Sequence, residues 1–279
     1  MLDFRYHALT LVAVFLALGI GIVLGSSLGD TVVSQANKDI AASLRADLTK
    51  ARGDAHDARA AVAQREHLID GLFQRLAAGK LTGKRIALVG SGDLGQSLQS
   101  EVRDAIQKAG GKVTAVFELR SPPKLSAIGA AVGSKFSNLK AGDKRLRDLG
   151  RRIGEAATHG GKVAQQLEKQ FPNRFIGELG PVDAVAFYRD PRANRAPDDQ
   201  QIEQGVIEGM RAAGHPVVGI EKLDSDPSQI SFYSNQGLSS VDDVDTAGGR
   251  IALVLTLGGA RGNFGYKKTA DAPLPKKGG

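Results

Sequence analysis

A mostly parallel α/β domain behind a single membrane helix and a coiled-coil stalk is the architecture this sequence predicts, and three observations predict it. The first is an uncharged apolar run, Ala8 to Leu24, near the amino terminus. The second is a 3-4 alternation of apolar residues from Ala41 to Leu76. The third, beyond Gly79, is a series of short β-rich runs separated by amphipathic stretches, the pattern of a parallel sheet flanked by helices. The expected boundaries are 1–29 for the anchor, 30–78 for the stalk, 79–258 for the α/β domain and 259–279 for a tail rich in Gly, Pro and Lys.

At about 1.5 Å per residue, the stretch from Ala8 to Gly25 covers roughly 27 Å, close to the hydrocarbon thickness of a bilayer. A cleaved signal peptide is the competing reading, because Arg5 precedes the run and Gly25, Ser26 and Ser27 follow it. The run exceeds the usual signal core of about 7 to 15 residues, which favours an anchor. A slight positive excess before the helix favours the amino end inside and the bulk of the chain outside. Ala13, Ala17, Gly21, Gly25 and Gly29 recur every fourth residue, a face on which two membrane helices can approach closely.

In the stalk the seam reads Ala41, Leu44, Leu48, Ala51, Ala55, Ala58 and Val62, breaks at Arg65, and resumes at Ile69, Leu72 and Leu76. Such a repeat argues for a coiled coil, and a parallel homo-oligomer puts the membrane face and the stalk on one axis. The alternative is an amphipathic helix folded back on its own domain.

Gly79 to Gly83 ends the helix. Strands are expected at Ile86–Val89, Val113–Phe117, Ala184–Phe187, Val217–Ile220 and Ile251–Leu257, with helices near Leu94–Ala109, Lys144–Phe171 and Asp198–Ala213. Arg120 to Ala141, with Pro122 and Pro123, reads as a long connection that is mobile or lies across the sheet. The end of the tail reads as disordered, with Lys267, Lys268, Lys276 and Lys277 available to an anionic surface.

The net charge is +7 and the isoelectric point near 9.6. Acidic neighbours such as headgroups or anionic wall polymers fit that balance. A nucleic-acid partner is not expected, since the basic residues are dispersed, Trp is absent and aromatics are few. The absence of cysteine excludes disulfides, thiolate metal sites and a cysteine nucleophile.

The sharpest motif is RIALVGSGDLGQSL, in which Gly90, Gly92 and Gly95 form GxGxxG between an expected strand and an expected helix. Helix N-terminal amides there can hold a phosphate, and Glu118 stands where a ribose-binding acid would sit, making an anion or nucleotide cleft. A tight strand-to-helix turn needs the same glycines. Arg189 and Asp190 follow the third run at the edge where α/β ligands bind. Asp242, Asp243 and Asp245 form the densest acidic cluster, lack the pattern of a calcium loop, and suit turn and capping roles. His7, His56, His67, His159 and His215 are scattered, and the methionines are Met1 and Met210, so no metal ligand set can be named from one copy. No HExxH or paired-carboxylate arrangement is present, and no enzymatic activity is expected.

Two stretches, MLDFRYHALTLVAVFLALGIGIVLGSS and YSNQGLSSVDDVDTAGGRIALVLTLGG, resemble the MctB copper transport family of actinobacteria. The resemblance runs over nearly the whole chain. It implies a cell-envelope protein linked to copper export and low intracellular copper, described in mycobacteria as a channel-like outer-membrane component, with copper as the transported ion. One membrane helix cannot form a pore alone, and nothing here shows the alternating ten-residue strands of a membrane barrel. Transport then needs an oligomer or an envelope partner. The alternative function is a membrane-anchored scaffold that positions or regulates cell-wall enzymes; a third is a nucleotide-sensing module.

Overall fold

The computed structural model describes residues 4–119, 125–171, 175–177 and 179–276. The chain divides into two compact units, Met1–Arg65 and Glu66–Gly279. Helix α1, Phe4–Leu76, spans the first unit and the start of the second. Within it, Tyr6–Gly25 is long and apolar enough to cross a membrane. From Glu66 onward the helix takes part in the second unit, where Phe73 and Ala77 are buried in the core and Ile69 packs against it. Backbone bonds from Ala77 and Ala78 to the Phe73 carbonyl then close the helix, and Gly79 and Gly83 turn the chain with positive φ.

The second unit is built on a seven-stranded sheet in the order β3-β2-β1-β4-β5-β6-β7. Its strands are β1 (Arg85–Ser91), β2 (Lys112–Leu119), β3 (Phe175–Gly177), β4 (Ala184–Arg189), β5 (Val217–Ile220), β6 (Ser239–Val241) and β7 (Asn263–Phe264). All pairings are parallel except that of β3 with β2. The central runs, IALV, AVAFY and VVGI, are apolar along their whole length because helices cover both sheet faces. Alternate residues feed two cores. Ala87, Val89, Val185 and Phe187 point to one face, and Ile86, Leu88, Ala184 and Ala186 to the other.

The helices of the unit are α2 (Gln96–Lys108), α3 (Leu125–Val132), α4 (Leu146–His159), α5 (Lys162–Gln170), α6 (Pro197–Ala212), α7 (Ile230–Asn235) and α8 (Ala247–Leu257). In α2, Leu98, Val102, Ala105 and Ile106 form the buried stripe. Helix α6 opens with Pro197, and the Asp199 carboxylate accepts the Ala196 amide at 3.2 Å.

Three sequence expectations are corrected. Ile251–Leu257 is helix, not strand: Thr246 Oγ1 accepts the Gly249 amide at 2.9 Å as an N-cap, and the apolar run is buried on nearly every side. The expected helix Lys144–Phe171 is broken into α4 and α5 at Gly160 and Gly161, both at positive φ. Of the long connection Arg120–Ala141, residues 120–124 lie outside the described ones, and the remainder includes α3 and a short 3-10 turn (Ser134–Phe136), with Ile128, Ala131, Phe136 and the following Leu139 buried. The stretch after Gly259 contributes β7 at the sheet edge, with Phe264 buried and Leu274 packed on the core.

Candidate functional site

Strand β1 has β2 on one side and β4 on the other, and the chain leaving β1 and the chain leaving β4 run to opposite sides of the sheet. Ligands of open α/β sheets bind in the crevice at such a reversal, beyond the carboxyl ends of the strands. Here that place is a cleft of about 620 Å³ walled by Asp93, Leu94, Gly95, Ser97, Tyr188, Asp190, Arg192, Lys222 and Asp224 to Asp226.

Of the four sequence-predicted residues only Gly95 lines this cleft, while Gly90, Gly92 and Glu118 lie behind it against Leu94 and Asp190. Gly90 is the penultimate residue of β1, and a β-carbon there would overlap the Leu94 side chain. Gly92, at φ +105°, passes so close to Asp190 that no larger residue fits. Gly95, at φ +62°, precedes the first residue of α2. Glu118 is buried near the end of β2 and accepts the Leu94 amide at 3.4 Å.

The loop amides are occupied by the protein itself. Gly92 N–H donates to the Leu119 carbonyl at 2.8 Å, Asp93 N–H to Asp190 Oδ2 at 3.4 Å and Gly95 N–H to Asp93 Oδ1 at 2.9 Å. In a dinucleotide site these donors would face phosphate oxygens. In this arrangement an incoming phosphate meets Asp93, Asp190 and Glu118. What the cleft presents to a ligand is therefore carboxylates together with Arg192 and Lys222. Burial pushes the Tyr188 phenol up to about 12, so it lines the wall as a neutral group.

Arg189 and Asp190 part company. Asp190 stays at the cleft and also accepts the Arg192 amide at 2.9 Å. Arg189 turns inward, where its Nε meets Glu203 at 3.0 Å, its Nη1 donates to Gln229 and its guanidinium lies over Phe232 at 4.1 Å. Arg195 shares the same carboxylate at 3.2 Å and donates to the Ser91 carbonyl at 2.8 Å, tying the end of β1 to the start of α6. Burial depresses the Arg195 pKa in spite of Glu203 beside it. Neither Glu203 nor Arg195 stands in a recognisable motif; only their partners in space give them a role.

The opposite rim is fixed by the acidic cluster and the tail. Lys267 Nζ donates to the fully buried Glu221 at 2.6 Å and to the carbonyls of Lys222 and Ser225, both at 3.1 Å, holding the loop that forms the cleft wall. Lys267 is thus inserted in the domain, in place of the surface contact expected from sequence, while Lys268 and Lys276 are exposed. Asp242 accepts the amides of Tyr266 and Lys267 at 2.9 and 3.0 Å, and Asp245 that of Leu223 at 2.8 Å. Asp243 is 1% exposed, accepts from the Thr246 hydroxyl through Oδ2, and leaves Oδ1 without a partner. Burial, reinforced by Asp242 and Asp245, pushes its pKa up to about 6.

Among the described residues, no group of three or more His, Cys, Asp or Glu converges on a point where it could hold a metal ion. His7, His56 and His67 are exposed along α1, His159 ends α4, and His215 precedes β5.

A family model described as "Copper transport outer membrane protein, MctB" matches residues 1–275. Curated relatives named "Copper transporter MctB", from Mycobacterium bovis and Mycobacterium tuberculosis, are each 24% identical over 310 aligned positions, covering 95% of this chain and 96% of the relative.

Proposed function

Because the chain belongs to the MctB copper transport family, we propose that it is a membrane-anchored protein of the cell envelope that contributes to copper efflux and low intracellular copper, working as an oligomer without catalysing a reaction. The observation that carries this reading is the extent of the family match. It runs from the apolar helix through the α/β unit into the tail, so it attaches to the whole arrangement and not to a module shared by unrelated proteins.

Physical considerations shape the proposal. One helix satisfies its own backbone in lipid but encloses no path for an ion, so copper must cross through several copies or beside an envelope partner. Copper is cargo here. Gly90, Gly92, Gly95 and Glu118 shape the turn beside the cleft in this reading, since the amides of Gly92, Asp93, Leu94 and Gly95 already donate to carbonyl and carboxylate groups, Glu118 among them. The cleft itself favours a second reading, a scaffold that positions or regulates a cell-wall enzyme through charged groups of both signs.

The test is cell-associated copper, measured by mass spectrometry in a deletion strain and its complemented parent across graded copper. Accumulation that complementation reverses is the expected result. Unchanged copper at every concentration would overturn the transport reading and leave the scaffold.

A further inference from the structure

Between Ala41 and Val62 the larger apolar side chains of α1 lie exposed: Leu44, Leu48 and Val62 are 63%, 51% and 55% exposed. With Ala41, Leu48, Ala55 and Val62 at heptad position a and Leu44, Ala51 and Ala58 at d, the flanking charges sort by sign. Arg45, Arg52 and Arg59 fall at e, and Asp47 and Asp54 at g. The three arginines have no use for this pattern within their own helix. No acidic residue stands three or four positions from any of them, the spacing at which same-helix ion pairs form.

The two orientations of a paired coil treat these charges oppositely. In a parallel, in-register pair each g residue faces the e residue of the next heptad on the other helix, which matches Asp47 with Arg52 and Asp54 with Arg59. In an antiparallel pair e faces e and g faces g, setting arginine against arginine and aspartate against aspartate. We propose that residues 41–62 form a parallel, in-register coiled-coil interface whose occupant is a second copy of this chain, with orientation and register set by these g-to-e pairs. The proposal rests on the oligomer of the preceding reading and not on copper. Four of the seven seam residues are alanine, which lets the two backbones close and brings the e and g side chains within reach. The seam ends at Arg65, and by Ile69 the helix packs on the core of the α/β unit.

The chain has no cysteine, so any thiol cross-link reports only on the residue introduced. Leu48→Cys and Val62→Cys both occupy position a and lie roughly 21 Å apart along the helix. In the full chain, in its own membrane and with diamide as a copper-free oxidant, each is expected to give a disulfide-linked dimer. Ala46→Cys and Ala60→Cys, on the outer f positions, are expected not to. Linking that appears only when two variants are mixed would identify an antiparallel pair and overturn the proposal, as would equal linking at a and f. Asp47→Arg with Asp54→Arg should weaken cross-linking at position 48 on the order of tenfold, and adding Arg52→Asp with Arg59→Asp should restore it. Linking that is indifferent to both changes would remove the g-to-e pairs as its cause. Loss of the links with copper handling intact sinks this interface and spares the transport reading; the converse result sinks transport alone.

Discussion

Glu203 carries two guanidinium groups on one carboxylate, and its side chain is 3% exposed. Removing its charge leaves Arg189 and Arg195 facing each other out of water, the situation in which breaking a buried ion pair costs most. Glu203→Gln should therefore lower stability by roughly 3 kcal/mol in urea denaturation. A loss under about 1 kcal/mol would mean that solvent already supports the arginines. Asp243 has the opposite character. Its folded pKa lies above the ordinary carboxylate value, so the folded state retains a proton that the unfolded chain has released. Its contribution is most favourable below about pH 4 and is lost as pH rises through about 6. Asp243→Asn should accordingly stabilise the domain at pH 7.5, by about 1 to 2 kcal/mol, and make little difference at pH 4. Thermal melts at the two pH values check this, and an equal effect at both would point to shape instead of charge.

Helices α4 and α6 touch backbone to backbone. A β-carbon on Gly150 or Gly154 would overlap the carbonyls of Ile202 and Val206, and one on Gly205 or Gly209 those of Arg147 and Arg151. Intrinsic propensity favours Ala over Gly in a helix by about 1 kcal/mol, so the sign of a substitution reports the packing. Gly154→Ala and Gly205→Ala should each destabilise by about 2 kcal/mol, because a crowded interface separates whole helices and forfeits their burial. Stabilisation by either would mean that the helices lie farther apart. This glycine pairing was open to view in the sequence, as two GxxxG spacings, but only the fold makes them face each other. The runs of β1, β2, β4 and β5 were legible because buried parallel strands are apolar throughout. Strands β3, β6 and β7, of three, three and two residues, are too short for any periodicity. The run of α8 satisfies strand and helix alike until the Thr246 cap is seen. Beside the cleft, the glycines were readable from the strand-to-helix turn they form, and Glu118 from its place at the end of the next strand. Asp190 was readable as an edge residue from its place after the third apolar run, but its bond to the same loop, 97 residues away, is announced by no local pattern.

At the scale of the whole molecule, the α/β unit is completed by residues distant from its beginning. Strand β7 covers the edge of β6, and Lys267 supplies the cation for the fully buried Glu221. A chain ending at residue 258 should consequently be cleaved by protease far faster than the full chain, since it exposes an unpaired sheet edge and buries an uncompensated charge. Protection equal to that of the full chain would show that the first six strands suffice. The same closure sets an order on synthesis. A ribosome that has translated two hundred and fifty residues has made nearly every helix and strand, yet the unit has neither its last strand nor its lysine. Folding of the unit is thereby deferred until residues 263–267 have been made, and until then its sheet edge and the buried Glu221 stay uncovered.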